Sequence, residues 1–279
     1  LRPFGELKDI EIPIYLGDSA ITPTKEIIDG IICYKYSISN YKKAFDVVLP
    51  ARLVKQKNFS KIMSSFQVAV KNDNGNMLFD MIKRYLSEDE RKSGALMLAI
   101  KSMVDNLIEL HQNKWDGIWL RIATNFMLIA RLENFDLIVG NPPWVKWEHL
   151  PSKYADKIKE LCNMKHIFST RGRFGGTQLN ICALISNVVA TNWLKDTGVL
   201  AFLMPDSIMS QNSYEEFRYF YTDYEKNERL YLQKIDKWEK PLKPFSSEGM
   251  IVSQDFNTYY YSRNIICLLY TSDAADEGL

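Results

Sequence analysis

What is scarce in this 279-residue chain narrows its class before any motif is read. No apolar run approaches the ~18 residues that a membrane span needs, and the amino terminus has no signal-peptide pattern, so the expectation is a cytoplasmic protein. Cysteines are few, at Cys33, Cys162, Cys182 and Cys267, and their scatter suits neither a zinc site nor a disulfide framework. No carboxylate–histidine cluster surrounds His149, which reads as a surface or locally hydrogen-bonded side chain. The fingerprint Gly-x-Gly-x-x-Gly is absent, which argues against a nicotinamide-binding Rossmann protein. A formal charge of +1 gives no bulk attraction to nucleic acid, so any such contact must come from a local patch.

What is present is core-forming material. At 46% hydrophobic and 25% charged residues, the chain can bury one large domain or two small ones. Residues 135–144, Phe-Asp-Leu-Ile-Val-Gly-Asn-Pro-Pro-Trp, organise the rest. The unalternating apolar run predicts a strand covered on both faces in the middle of a parallel sheet. Two prolines then remove two amide donors and fix φ, so the chain leaves the sheet as a stiff loop at an edge where ligands bind in α/β folds. The Asn141 side-chain oxygen and the Pro142 carbonyl are two acceptors that can take both hydrogens of an exocyclic amine. Trp144 can lie against the ring that carries it, a stack worth ~1–3 kcal/mol.

Asn141-Pro142-Pro143-Trp144 after Phe135-Asp136 resembles the catalytic motif of the amino-group DNA methyltransferases. The Asn form is similar to the adenine-specific enzymes of restriction-modification or phage-defence systems. That resemblance implies an α/β fold: a partial Rossmann-like methyltransferase sheet with helices on both faces and a helical insertion. It also implies S-adenosylmethionine as cofactor, no metal requirement for methyl transfer, and double-stranded DNA as partner, with a specificity or nuclease domain or subunit as a further one. Catalytic roles fall to Asn141, Pro142, Pro143 and Trp144. Asp18, on a strand-then-loop pattern after residues 12–16, is the resemblance's candidate for the cofactor's adenine amino group, with Ser19 beside it and Asn141 as a third cofactor contact.

Along the chain, residues 1–20 are expected to hold the third-strand region of the core. Residues 21–131 read as a mainly helical insertion or subdomain, with Leu78, Phe79, Ile82, Tyr85 and Leu86, and again Ala95, Leu98, Ala99, Met103 and Leu107, at helical spacing. Residues 132–266 hold the catalytic part of the core. Lys146 and Trp147 follow the motif and are candidates for the DNA-facing mouth. Lys165, Arg171 and Arg173 bring three cations to a glycine-rich loop without an acid among them, and are candidates for phosphate contacts. An apolar helix from Leu179 stops near Gly198, ahead of a doubly buried strand over 199–204 that breaks at Pro205-Asp206-Ser207. A helix over 215–220 and strands near 230–235, 251–252 and 258–261 complete the expectation.

Two departures qualify the resemblance. The family's glycine-rich cofactor loop should precede Asp18 and is absent, so amino-terminal strands are expected to be missing and the fragment to be inactive alone. Residues 267–279 resemble the in-frame translation of a sequencing-library adapter and are expected to pack on nothing. The rival readings are an amino-group methyltransferase acting on RNA or protein glutamine, since an amide presents the same two hydrogens, and an inactive DNA-binding fragment.

Overall fold

A computed structural model describes residues 14–39, 44–113, 118–168, 179–238 and 254–264. The chain divides into two compact units, Leu1–Leu132 and Glu133–Leu279. Arg171, Arg173, the pair Ile251-Val252 and the tail 267–279 lie outside the described residues, as do residues 12 and 13 of the expected first strand.

The amino-terminal unit begins with a meander. Strands β1 (Thr24–Ile28), β2 (Ile31–Ser39) and β3 (Ala44–Pro50) form an antiparallel sheet in that order. The β1–β2 turn is Asp29-Gly30, with φ of 48° and 78°, and Ile28 pairs with Ile31. Two consecutive positive φ values are what a two-residue hairpin needs to match strand twist. This corrects the helical reading of residues 24–50. The helical reading holds downstream, where α1 (Ala51–Val54), α2 (Phe59–Lys71), α3 (Gly75–Tyr85), α4 (Glu88–Lys92), α5 (Gly94–Gln112) and α6 (Ile118–Ala130) follow.

One core joins the sheet and helices of this unit, with Val47, Leu49, Leu53, Phe59, Ile100 and Val104 fully buried. Tyr36 of β2 stacks on Phe126 of α6 at 3.9 Å between ring centres. The hairpin turn also serves a helix: Asp29 Oδ2 accepts from Ser93 Oγ at 2.6 Å, and Ser93 Oγ accepts from Leu96 N, capping α5. At α4, Ser87 and Glu90 form a capping box. Buried Glu90 then takes a two-pronged bond from Arg52, with Nε to Oε1 at 3.0 Å and Nη2 to Oε2 at 2.6 Å.

The carboxyl-terminal unit is of the expected α/β, Rossmann-like class. Its elements are β4 (Phe135–Gly140), α7 (Ser152–Met164), α8 (Ile181–Trp193), β5 (Leu194–Pro205), α9 (Ser207–Ser210), α10 (Glu215–Tyr219), the short pair β6 (Tyr221–Asp223) and β7 (Glu228–Arg229), then β8 (Tyr231–Lys237) and β9 (Phe256–Ser262). The main sheet runs β4-β5-β9-β8; β4 and β5 are parallel, and β9 is antiparallel to both its neighbours. Helix α8 is buried from Ile181 to Ala190 and packs on β5. An apolar helix of that kind needs partners all round. No helix among the described residues is long and apolar enough to cross a membrane.

Two expectations about this unit change. Among the described residues β4 has only β5 beside it, so it is an edge strand. Leu137 and Val139 are 58% and 72% exposed. A continuous apolar run reports the wish for two covered faces; it carries no information on whether a neighbour is there to cover them. Gly198 is not the end of α8, which stops at Trp193. It lies inside β5, where a Cβ would come within 2.7 Å of the Phe135 carbonyl oxygen, so the position suits glycine. The three described cysteines, Cys33, Cys162 and Cys182, are buried and free, and burial raises their thiols to about 11, 12 and 12.

Burial pushes the Glu90 carboxyl up, but the Arg52 and Ser87 hydrogen bonds outweigh it and hold the carboxyl below its ordinary range. Its contribution to stability is therefore full above about pH 4.3 and is lost as pH falls through the lowered folded value. Glu90→Gln is expected to destabilise the amino-terminal unit by about 1–3 kcal/mol at pH 7, and to remove that acid-side slope. Urea denaturation across pH 3–7 checks both.

Candidate functional site

The site is built at the carboxyl end of β4. Gly140 closes the strand under the Phe202 ring of β5: a Cβ at Gly140 would meet Phe202 Cε1 at 2.8 Å. Only glycine lets ring and backbone approach that closely. The next four residues have neither helix nor ladder. Pro142 is buried while Asn141 and Pro143 are exposed, so the loop is pinned from below with the amide outward. The Asn141 side chain makes no hydrogen bond among the described residues.

Trp144 ties the far end of the loop to the sheet. Its Nε1 donates to the Leu203 carbonyl of β5 at 3.2 Å, and its ring meets Phe256, the first residue of β9, at 5.4 Å. The chain then pairs briefly with the lead-in to α8: Lys146 bridges Asn180, Trp147 N donates to the Leu179 carbonyl, and Ile181 N donates to the Val145 carbonyl, both at 2.9 Å. Asn180 N in turn donates to the hydroxyl of buried Tyr214 at 2.8 Å. Burial, with Cys182 adding to it, raises that phenol to about 12, so it stays protonated at neutral pH. The loop is therefore held at both ends by backbone contacts, and a rigid mount is what a positioning acceptor needs.

A second polar group stands at the end of β5. Asn257 Nδ2 donates to Asp206 Oδ1 at 2.7 Å and to Tyr259 Oη at 3.2 Å, while Asp206 N donates to the Asp255 carbonyl at 2.9 Å. Asp206, Phe256 and Asn257 had no role in the sequence reading. The signal for Asp206 was available, since Pro205-Asp206-Ser207 breaks an apolar strand just as the motif at Asn141 does. Nothing local marks Asn257.

The remaining candidates fall in several places. Lys146 and Trp147 are half-buried, with Lys146 Nζ 3.9 Å from Glu148 and the Trp147 ring 5.0 Å from Phe168. His149 is exposed, 3.8 Å from the same Glu148. Lys165 is the carboxyl-terminal cap of α7, with its amine against Thr191, and not part of an open loop. Asp18 and Ser19 belong to the amino-terminal unit. Residues 14–16 there are not a strand, and Asp18 Oδ1 accepts from Ala20 N at 2.8 Å and Ile21 N at 3.3 Å. That is a self-closed turn. Among the described residues no three His, Cys, Asp or Glu side chains gather as they would around a metal.

Compared with known proteins, residues 52–245 match the Eco57I restriction-modification methylase family. The chain belongs to that family. The match spans the whole loop at Asn141 and both of its anchors on β5. No curated protein sequence matches significantly. Among solved structures, one described as a class I S-adenosylmethionine-dependent methyltransferase from Listeria monocytogenes is similar at 12% identity and a TM-score of 0.32, over 77% of this chain and 71% of that one. At that distance it carries no argument, and membership rests on the sequence match.

Gly140→Ala is expected to cost about 1–3 kcal/mol in the carboxyl-terminal unit, because the Phe202 ring must shift to admit a methyl group. Phe202→Leu in the same chain should recover part of it. Thermal denaturation of the single and double variants checks the coupling.

Proposed function

We propose that this chain transfers a methyl group from S-adenosylmethionine to the exocyclic amino group of adenine in DNA, within a restriction-modification or phage-defence system. The observation that carries the reading is Asn141, an exposed amide on a loop anchored at Gly140 and at Trp144, in a chain of a methylase family. When bound, the cofactor supplies a methyl group already activated on a sulfonium. What is asked of the protein is positioning.

An adenine amino group cannot be reached inside a duplex, so the base leaves the stack. Its nitrogen lone pair is delocalised into the ring and is a poor nucleophile. Asn141 Oδ1 and the Pro142 carbonyl accept the two N–H bonds, draw the nitrogen toward a tetrahedral shape and turn the lone pair outward. If the methyl carbon passed to this nitrogen, its bond to the sulfonium would break and leave a neutral thioether, and Asn141 Oδ1 and the Pro142 carbonyl would stabilise the positive charge on nitrogen until one N–H proton is lost to water. Pro143 keeps the loop stiff. Trp144, fixed by Leu203 and Phe256, offers its indole to the base. Asp18 and Ser19, with Asn141, are the proposed contacts to the cofactor; Asp18 Oδ1 accepts from two amides of its own turn, and a carboxylate has a second oxygen to offer.

Double-stranded DNA is the proposed partner, met by Lys146, Trp147 and Lys165, with Arg171 and Arg173 in the same role. A specificity or nuclease subunit belongs to the same proposal.

In the full-length protein, Asn141→Ala is expected to lower methyl transfer by at least ~100-fold while leaving S-adenosylmethionine affinity within about twofold. Labelled methyl transfer to DNA, RNA and protein in parallel, with calorimetry for the cofactor, tests both. Unchanged turnover in the variant, or label found in RNA or protein and not in DNA, overturns the reading.

A further inference from the structure

The carboxyl-terminal unit holds a cleft of about 560 Å³ between the end of α7 and the β6 hairpin, walled by Leu161, Lys165, His166, Tyr221, Asp223 and Tyr224 among others. Nothing in the methyl-transfer step uses it. Its lysine is unusual. Lys165 is half-buried, and its Nζ donates to Thr191 Oγ1 of α8 at 3.3 Å. Among the described residues no carboxylate pairs with it, and burial lowers its pKa. A neutral hydroxyl does not compensate a desolvated ammonium. The acid on the same wall is already matched: Asp223 Oδ2 lies 2.9 Å from Lys226 Nζ, and Asp223 Oδ1 accepts from Lys226 N. Glu225, also on the lining, is exposed to solvent.

The opposite character of the cleft is aromatic. His166 follows the Lys165 cap with φ +50°. Its amide donates to the Asn163 carbonyl, and Ile167 N donates to that of Cys162. This is a helix terminus where glycine sits at least cost. Here an imidazole takes the place, and its ring stacks on Tyr224 at 3.5 Å and 16°. Tyr221 meets Tyr224 edge-on at 4.9 Å, and Tyr224 itself is 51% exposed. Strain kept at a concave site in exchange for a flat aromatic surface points to a ligand.

We propose that this cleft binds a nucleotide, its phosphate on Lys165 and its sugar or base against the Tyr224–His166 pair. A bare anion would leave the aromatic wall without a purpose, and an apolar ring would leave the ammonium uncompensated. A nucleotide answers both. The nucleotide is either free or part of the DNA strand; the second source rests on the function proposed above.

The test uses the full chain, Lys165→Met (which keeps the stem and removes the charge), and Tyr224→Ala. Deoxyadenosine monophosphate is titrated by calorimetry, and a fluorescein-labelled duplex by anisotropy from 50 to 200 mM salt. A loss of about tenfold in mononucleotide affinity in both variants supports the cleft. A fall of about 0.9 in the duplex salt slope for Lys165→Met, the share of one phosphate, assigns it to DNA. Mononucleotide dependence without a change in slope assigns it to a free nucleotide. If neither probe separates wild type from Lys165→Met, the proposal is overturned. The Asn141 experiment is read on different residues and by a different signal, so the two can fail independently.

Discussion

A strand-end amide is useful only if it cannot move, and two contacts to β5 keep Asn141 in place. Phe202 lies over Gly140 so closely that a Cβ there would meet its ring at 2.8 Å, and one residue further along the same strand the Leu203 carbonyl receives the Trp144 indole N–H. Between these fixed points lie only Asn141 and two prolines, whose rings remove most of the backbone freedom left. The acceptor is thereby oriented before any substrate arrives. For the proposed transfer, which relies on alignment without a covalent enzyme intermediate, such pre-organisation is what the loop offers.

The neighbourhood extends the same logic. Phe256 and Asn257 enter from β9, which inserts antiparallel between β5 and β8, so residues over a hundred positions from the motif reach its vicinity only through sheet order. Asn257 joins Asp206 to Tyr259, and burial, reinforced by Asp206, raises that phenol to about 12. A protonated hydroxyl there is a donor, and it reaches toward the Pro205 carbonyl at 3.3 Å. The carboxyl ends of two adjacent parallel strands are thus both finished by tied-down polar turns.

What was legible followed from local chemistry. The β4 strand and its loop, helix α8, strand β5 and the aromatic strand β9 are all visible as apolar runs with proline breaks. The first sheet was also within reach, because Asp29-Gly30 between Ile28 and Ile31 is a strong short-range hairpin signal; the helical period of the residues after it drew attention away. Other features are not local at all. The edge position of β4 depends on what pairs with it. The role of Gly198 depends on the carbonyl of Phe135 across the sheet. Lys165 looked like one of three loop cations, yet a cap on α7 and a hydroxyl on α8 hold it apart from any loop.

The buried thiols have a practical meaning. With their ionisation shifted to about 11 or 12, Cys33, Cys162 and Cys182 are almost wholly protonated at neutral pH and shielded from solvent. An alkylating reagent meets them only when the fold around them opens. Cys33 lies in one unit and the other two in its companion. In a chain with Cys267 replaced by serine, the labelling rate at each position becomes a clock for the breathing of its own half of the molecule.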